Sequence, residues 1–247
     1  MSEKRIVLVG GGSGGHFYPL IAVAQRLKKK ATPEMPISLY YFGPTKYNEK
    51  ALSENNITYI RIGAGKRRKY FSFLNFLDVF KAFFAIFFAV WHLYRVYSDA
   101  VFSKGGYTSV PVVIAAWLLR IPIMIHESDT KAGTANKLGA RFARYIAIAF
   151  DDVAPEFPTN KTALVGLPLR EELMHKAESP KEKLGVPTDR PLIFVTGGSL
   201  GSQRINRLIM ESLDELLPLY AILHQTGEKN EDDVQRTSGE LITNTEL

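Results

Sequence analysis

Gly10-Gly11-Gly12-Ser13-Gly14-Gly15-His16 follows the apolar run Ile6-Val7-Leu8-Val9 and precedes a stretch with helical apolar spacing. A glycine-dense turn therefore links a buried strand to the start of a helix, and that geometry binds phosphate. Glycines let the backbone approach an anion closely, while the free N–H groups and dipole of a helix N-terminus favour negative charge. The turn contains a formal G-x-G-x-x-G at Gly10, Gly12 and Gly15, the pattern of dinucleotide-binding turns. Such sites place an acidic residue at the end of the second strand to hold a ribose. Here that strand, Ile37-Ser38-Leu39-Tyr40-Tyr41-Phe42, runs into Gly43-Pro44-Thr45 with no carboxylate, which argues against NAD or FAD. His16 adds an imidazole, titratable near neutral pH, beside the anion site.

A chain of 247 residues, 46% of them hydrophobic, fills one large or two modest domains and excludes disorder as a global description. Zero cysteines rule out disulfides, thiolate zinc sites and a cysteine nucleophile. The opening Met-Ser-Glu-Lys-Arg leads straight into a strand, so cytoplasmic residence is expected. The net charge of +6 is concentrated in Lys66-Arg67-Arg68-Lys69, which abuts Tyr70-Phe71-Ser72-Phe73-Leu74-Asn75-Phe76-Leu77 and then Phe80 to Tyr94. Cations beside a Phe-rich segment suit an interfacial membrane anchor, with Phe73 and Phe76 at the acyl boundary. The alternative is a helix buried between a sheet and a neighbour, with the basic run as a solvated loop. The charge-free stretch of this segment, Ala82 to Tyr94, is shorter than the roughly 20 residues a spanning helix needs. Nucleic acid is not expected as a partner, because no zinc, helix-turn-helix or RNP-type pattern accompanies the basic residues.

Short β-branched runs alternate with helical patterns, which predicts an α/β chain with largely parallel sheets. Strands are expected at Arg5–Val9, Ile37–Phe42, Thr58–Ile62, Ala100–Ser103, Ile123–His126, Ile146–Ala149, Thr162–Val165, Leu192–Thr196 and Ala221–Gln225. The first six form one doubly wound domain, residues 1–166, and Gly166-Leu167-Pro168 marks the crossing to a second, residues 167–247. There the grammar restarts: strand Leu192–Thr196, glycine turn Gly197-Gly198-Ser199-Leu200-Gly201-Ser202, helical pattern Gln203 to Leu216. This second Rossmann-like unit is incomplete, with only two clear strands.

Three further clusters fall where strands end and loops begin, the usual ligand edge of open α/β sheets. They are Ser103-Lys104-Gly105-Gly106-Tyr107, His126-Glu127-Ser128-Asp129 and Val165-Gly166-Leu167-Pro168-Leu169-Arg170. With the opening turn, Pro19 and Gly197–Ser199, these motifs resemble the MurG family of UDP-N-acetylglucosamine-dependent transferases, from about Arg5 to Gly227. The resemblance implies a GT-B-type inverting glycosyltransferase with no catalytic metal and no cofactor. Its reaction moves GlcNAc from UDP-GlcNAc to the C4 hydroxyl of undecaprenyl-pyrophosphoryl-MurNAc-pentapeptide, turning lipid I into lipid II in peptidoglycan synthesis. It works as a peripheral protein on the anionic cytoplasmic face of the inner membrane. Family members continue through donor-gripping segments absent here, so the chain is expected to be truncated and inactive alone. The alternative is an acceptor-binding, membrane-anchoring subunit of a split UDP-GlcNAc transferase.

By the same resemblance, Gly14, Gly15, Gly105, Gly106, Tyr107, His126 and Glu127 face the acceptor and its pyrophosphate. Ser13, Gly14, Gly15, Asp129, Arg170 and Ser199 face the donor. His16 is the candidate catalytic base, with capping of the turn or hydrogen bonding to ligand as its alternative role. His126 and Glu127 fit loop ordering better than acid/base work. Arg170 and Ser199 have surface salt bridging and helix capping as plain alternatives. The family's HEQN stands here as His126-Glu127-Ser128-Asp129, and an acid facing a diphosphate repels it unless compensated. Trp91 and Trp117 read as packing residues, and no histidine has a metal-binding pattern.

Overall fold

A computed structural model describes residues 3–63, 74–175, 178–198, 201–227 and 230, with backbone alone for 74–82 and 180. Two compact units divide at Met174/His175. The first carries a seven-stranded, all-parallel sheet of β1 (Lys4–Val9), β2 (Ile37–Gly43), β3 (Ile57–Arg61), β4 (Ala100–Ser103), β5 (Ile123–Glu127), β6 (Tyr145–Ile148) and β7 (Thr162–Leu164). Their spatial order is β3-β2-β1-β4-β5-β6-β7. The chain winds outward in one direction from β1 and in the other from β4, so a topological switch point lies between those two strands.

Parallel strands covered on both faces read as continuous apolar runs, and these do. Along β1, Val7 and Val9 enter a core with Ala89 and Leu93 of α3 (Leu74–Val96) and Val112, Ala115 and Ala116 of α4 (Ser109–Leu118). Leu8 points the other way, against Phe17, Leu20, Ile21 and Ala24 of α1 (Gly14–Lys30) and Leu52 of α2 (Glu49–Glu54). Helix α5 (Thr134–Gly139) follows β5. The expected strands are all present, with ends differing by a residue, and the expected α/β fold class holds.

The sheet contains seven strands rather than the six expected, because Ile146–Ile148 of β6 pairs in register with Thr162–Leu164. The compact unit also runs past residue 166. Residues after the Gly166 turn return to α1: Glu171 N–H donates to Gln25 Oε1 at 3.0 Å, and Lys29 pairs with Glu171 at 2.7 Å. Glycine 166 does mark a turn, but the segment beyond it is stitched to the first unit.

Helix α3 is buried along one stripe and exposed along another. Its small or aliphatic residues Ala85, Ala89, Leu93 and Val96 face the core, one per turn. Its large aromatics face outward: Phe83 is 68% exposed, Phe87 66% and Trp91 52%. The helix is therefore buried along one stripe only. The basic run Lys66, Arg67, Arg68 and Lys69, together with Phe73, lies outside the described residues, and of Phe76 only the backbone within α3 is described. Among the described residues, no helix is long and apolar enough to cross a membrane.

In the second unit, α6 (Pro180–Lys183) precedes β8 (Leu192–Thr196), α7 (Gln203–Glu211), α8 (Leu213–Leu216) and β9 (Ala221–Gln225). Strands β8 and β9 pair in parallel, the strand–turn–helix–strand order read from sequence. Asn206 on α7 is buried, and its Nδ2 donates to Thr226 O at 3.0 Å, tying the helix to the exit of β9. Ser199 lies outside the described residues.

Candidate functional site

Strand register builds the site. Val9 pairs with Ser103, and Ser103 with Ile125, so Gly10, Lys104 and His126 emerge side by side at the C-terminal edge across the switch point. Lys104 N–H donates to Val9 O at 2.8 Å, which carries the ladder one residue into the loops.

Ser13 is the N-cap of α1, yet its hydroxyl caps nothing; Ser13 Oγ lies 2.8 Å from His16 Nδ1. His16 is the third helical residue, directly above the helix N-terminus. The Gly14 and Gly15 N–H groups have no hydrogen-bond partner among the described residues and remain available to an anion. When Nδ1–H donates to Ser13, Nε2 carries the lone pair. A Cβ placed on Gly106 would lie 3.7 Å from that Nε2 and 3.0 Å from Gly11 O, so the two glycine turns face each other at van der Waals distance. Gly105 and Gly106 both have positive φ, +86° and +83°. Side chains there would strain the backbone and, at Gly105, strike Asn136 at 2.7 Å. Tyr107 closes over the first turn, its Cε1 being 3.2 Å from where a Gly12 Cβ would sit.

Burial pushes the His16 imidazole below its ordinary pKa, and the Lys104 charge pushes it further; Asp129 and Glu127 oppose both. Burial and Lys104 thus favour the neutral ring. His126 is buried, and its Nε2–H donates to Gly166 O at 2.9 Å, while burial again lowers its pKa. Its Nδ1 has no partner among the described residues. This histidine pins the junction turn.

Glu127, only 3% exposed, accepts four N–H groups. Oε1 takes Ser128 N at 2.8 Å and Asp129 N at 3.1 Å. Oε2 takes Gly133 N at 2.8 Å and Asn136 Nδ2 at 3.0 Å. The carboxylate organises the loop from β5 into α5. Asp129 is exposed at the rim of that loop. Arg170 stacks on Tyr18 of α1, its guanidinium carbon 4.4 Å from the ring centroid. Its plain alternative to a donor-side role, a surface salt bridge, is here a cation–π contact.

Sequence reasoning assigned no role to Lys104, Ser128 or Asn136. Lys104 is 2% exposed, and its Nζ donates to Ser128 Oγ at 2.7 Å. Asn136 is buried and joins the His126 carbonyl to Glu127. The only available signal was their proximity to glycine turns. Among the described residues, no group of three histidine or acidic side chains could hold a metal ion.

The chain is similar to known glycosyltransferases over both units. Residues 6–148 match the glycosyltransferase family 28 N-terminal domain, and residues 192–246 match its C-terminal domain. A UDP-N-acetylglucosamine–N-acetylmuramyl-(pentapeptide) pyrophosphoryl-undecaprenol N-acetylglucosamine transferase of Bacillus thuringiensis is 40% identical over 232 residues, 93% of this chain and 64% of that protein. The transferase of Clostridium novyi is 39% identical over 236 residues, 94% of this chain and 65% of that protein. The chain thus spans less than two thirds of the length of these relatives. The crystal structure of Acinetobacter baumannii MurG superimposes with a TM-score of 0.63 at 27% identity, over 98% of this chain and 66% of that one. Staphylococcus aureus MnaA with UDP reaches 0.64 at 11% identity, a likeness of fold alone. The resemblance read from the motifs is borne out, and the chain belongs to glycosyltransferase family 28.

Proposed function

We propose that the first unit is the acceptor-holding, membrane-facing half of a GlcNAc transferase that converts lipid I to lipid II, and the second unit contributes part of the UDP-GlcNAc site. The observation that carries this reading is the His16 imidazole, held by Ser13 between two glycine turns at the sheet's switch point, where burial favours its neutral form. In the reaction, the muramyl C4 hydroxyl attacks the anomeric carbon of UDP-GlcNAc. The new glycosidic bond forms as the bond to the β-phosphate oxygen breaks, UDP leaves, and His16 Nε2 takes the hydroxyl proton.

The Gly14 and Gly15 N–H groups and the Gly105–Gly106 turn cradle the acceptor's pyrophosphate, with Tyr107 flanking it. His126 and Glu127 act by shaping their loop. Asp129 at the rim, Arg170 and Ser199 are the donor-side residues. The exposed aromatic face of α3, with Lys66–Lys69 and Phe73 preceding it, rests on the anionic cytoplasmic surface of the membrane where the undecaprenyl chain lies. No metal takes part.

The test extends the chain to the full length of its relatives and measures GlcNAc transfer to a lipid I analogue. His16→Ala should lower kcat by about 10²–10⁴-fold while acceptor KM changes little, the loss expected of a general base. The 247-residue chain alone should bind the acceptor analogue without turnover. An extended enzyme whose kcat survives His16→Ala removes His16 from proton transfer.

A further inference from the structure

Lys104 is a charged side chain at the sheet edge that the proposed reaction does not use, and it is almost fully buried. Long cationic side chains usually snorkel to water, so a lysine at 2% exposure is held there by its surroundings. Its stem passes under the first glycine turn: a Cβ on Gly10 would lie 3.1 Å from Lys104 Cβ. Its ammonium ends on Ser128 Oγ, 2.7 Å away, in the loop that Glu127 organises. Among the described residues this is its only hydrogen bond, although an ammonium carries three donors. One side chain therefore cross-links all three loops of the site.

The charges around it are balanced. Glu127 and Asp129 favour the lysine's charged form against burial, and Lys104 in turn disfavours protonation of His16 while those two acids favour it. Asp129, exposed on the β5–α5 loop, puts a negative charge at the rim of an anion site. The buried cation offsets it. We propose that Lys104 is a positioning residue of this site: anchored on Ser128, it fixes the His126–Asp129 loop against the glycine turns and supplies the positive charge that lets Asp129 stand beside a diphosphate. The diphosphate part rests on the function proposed above; the coupling of Lys104 and Asp129 to His16 does not. The charged groups facing His16 are Lys104 from the second glycine turn and Glu127 and Asp129 from the β5–α5 loop.

The experiment follows the His16 ring proton by NMR against pH in the 247-residue chain, with inorganic pyrophosphate titrated separately. Variants are Lys104→Met, Asp129→Asn and the double variant. Lys104→Met should raise the His16 midpoint, Asp129→Asn should lower it, and the double variant should return near wild type. Pyrophosphate affinity should fall by roughly tenfold in Lys104→Met, the loss of one nearby charge at intermediate dielectric, and recover in the double variant. Asp129 is exposed, so its variant keeps the fold and carries the test even if Lys104→Met does not fold. An unchanged His16 midpoint in Asp129→Asn and in whatever Lys104→Met folds overturns the charge coupling that the proposal claims and leaves Lys104 holding the loop by its Ser128 bond alone. Midpoints that move as expected in a chain that ignores pyrophosphate support the charge pair and instead sink the pyrophosphate reading of the glycine turns.

Discussion

Glu127→Gln isolates the loop-organising role of the His126–Glu127 pair, because it changes one oxygen to NH2 and almost nothing in shape. The native carboxylate accepts two N–H groups on each oxygen, three from backbone and one from Asn136. A glutamine side chain has one oxygen, so its NH2 must face a pair of donors. If it faces Ser128 and Asp129, two backbone N–H groups lose their acceptor. If it faces Gly133 and Asn136, the Asn136 amide can flip to offer Oδ1, but the flip gives up its 3.2 Å bond to the His126 carbonyl, and Gly133 N–H is still orphaned. Either way two hydrogen bonds are lost, at about 1.5–3 kcal/mol for each to the carboxylate and about 0.5–1.5 kcal/mol for the neutral one, less what local relaxation recovers, for a net cost of about 2–3 kcal/mol.

The assay is urea unfolding followed by tryptophan fluorescence. Both tryptophans, Trp91 and Trp117, lie on α3 and α4, so the signal reports the first unit without the second. That separation matters because a two-unit chain need not unfold in one step. The midpoint should fall without a change in slope. A loss under about 0.5 kcal/mol, the scale of an ordinary surface change, would refute the four-donor account of Glu127.

Gly106→Ala should destabilise the first unit by about 1–3 kcal/mol, since its φ of +83° suits glycine and the new methyl would sit 3.0 Å from Gly11 O; an unchanged urea midpoint counts against the close approach of the two turns. Burial lowers the folded pKa values of His16 and His126 below 6.5, so the unfolded chain takes up protons first. Stability is therefore full above pH 6.5 and declines as pH falls from there towards the folded values, and replacing both histidines with glutamine should flatten that slope between pH 7 and 5. Phe84→Ser with Phe87→Ser should cut sedimentation with neutral and anionic vesicles alike, each ring forfeiting about 1.5–3 kcal/mol of burial. Charge reversal of Lys66, Arg67, Arg68 and Lys69 should cut only the salt-sensitive binding to anionic vesicles, at about 1 kcal/mol per charge. Wild-type chain left in the supernatant with anionic vesicles at low salt would end the membrane reading.

The strands were legible because each parallel strand is buried on both faces and so reads as an apolar run: Val7, Leu8 and Val9 alternate between two cores, and all three are apolar. The glycine turns were legible because few other sequences allow positive φ and close backbone approach together. Lys104 was not. A lysine before Gly105-Gly106 looks like a solvated loop residue. Only the register of β1, β4 and β5 shows that it emerges between Gly10 and His126, with Ser128 within reach 24 residues downstream. Glu127 was ambiguous for a related reason. Three of its four donors are backbone N–H groups, which every sequence possesses and no sequence displays.

Helix α3 differs from both, because its signal was present and a hydropathy reading could not weigh it. Ala85, Ala89 and Leu93 recur every four residues, and Phe83, Phe87 and Trp91 recur with the same period on another face. By polarity all six are apolar, so the helix reads as apolar all round and its burial looks complete. By size they separate. Alanine lets α3 approach the sheet and α4 closely, and this close packing leaves no room for phenylalanine on the same side. The large rings are thereby committed to the opposite face, where Phe83, Phe84, Phe87, Phe88, Trp91 and Tyr94 are each more than half exposed. A stripe of small residues inside an aromatic-rich helix thus fixes which face stays uncovered. The same alanines that close the core thus leave the aromatic rings on the exposed side of the helix, the face that the proposed membrane contact would use.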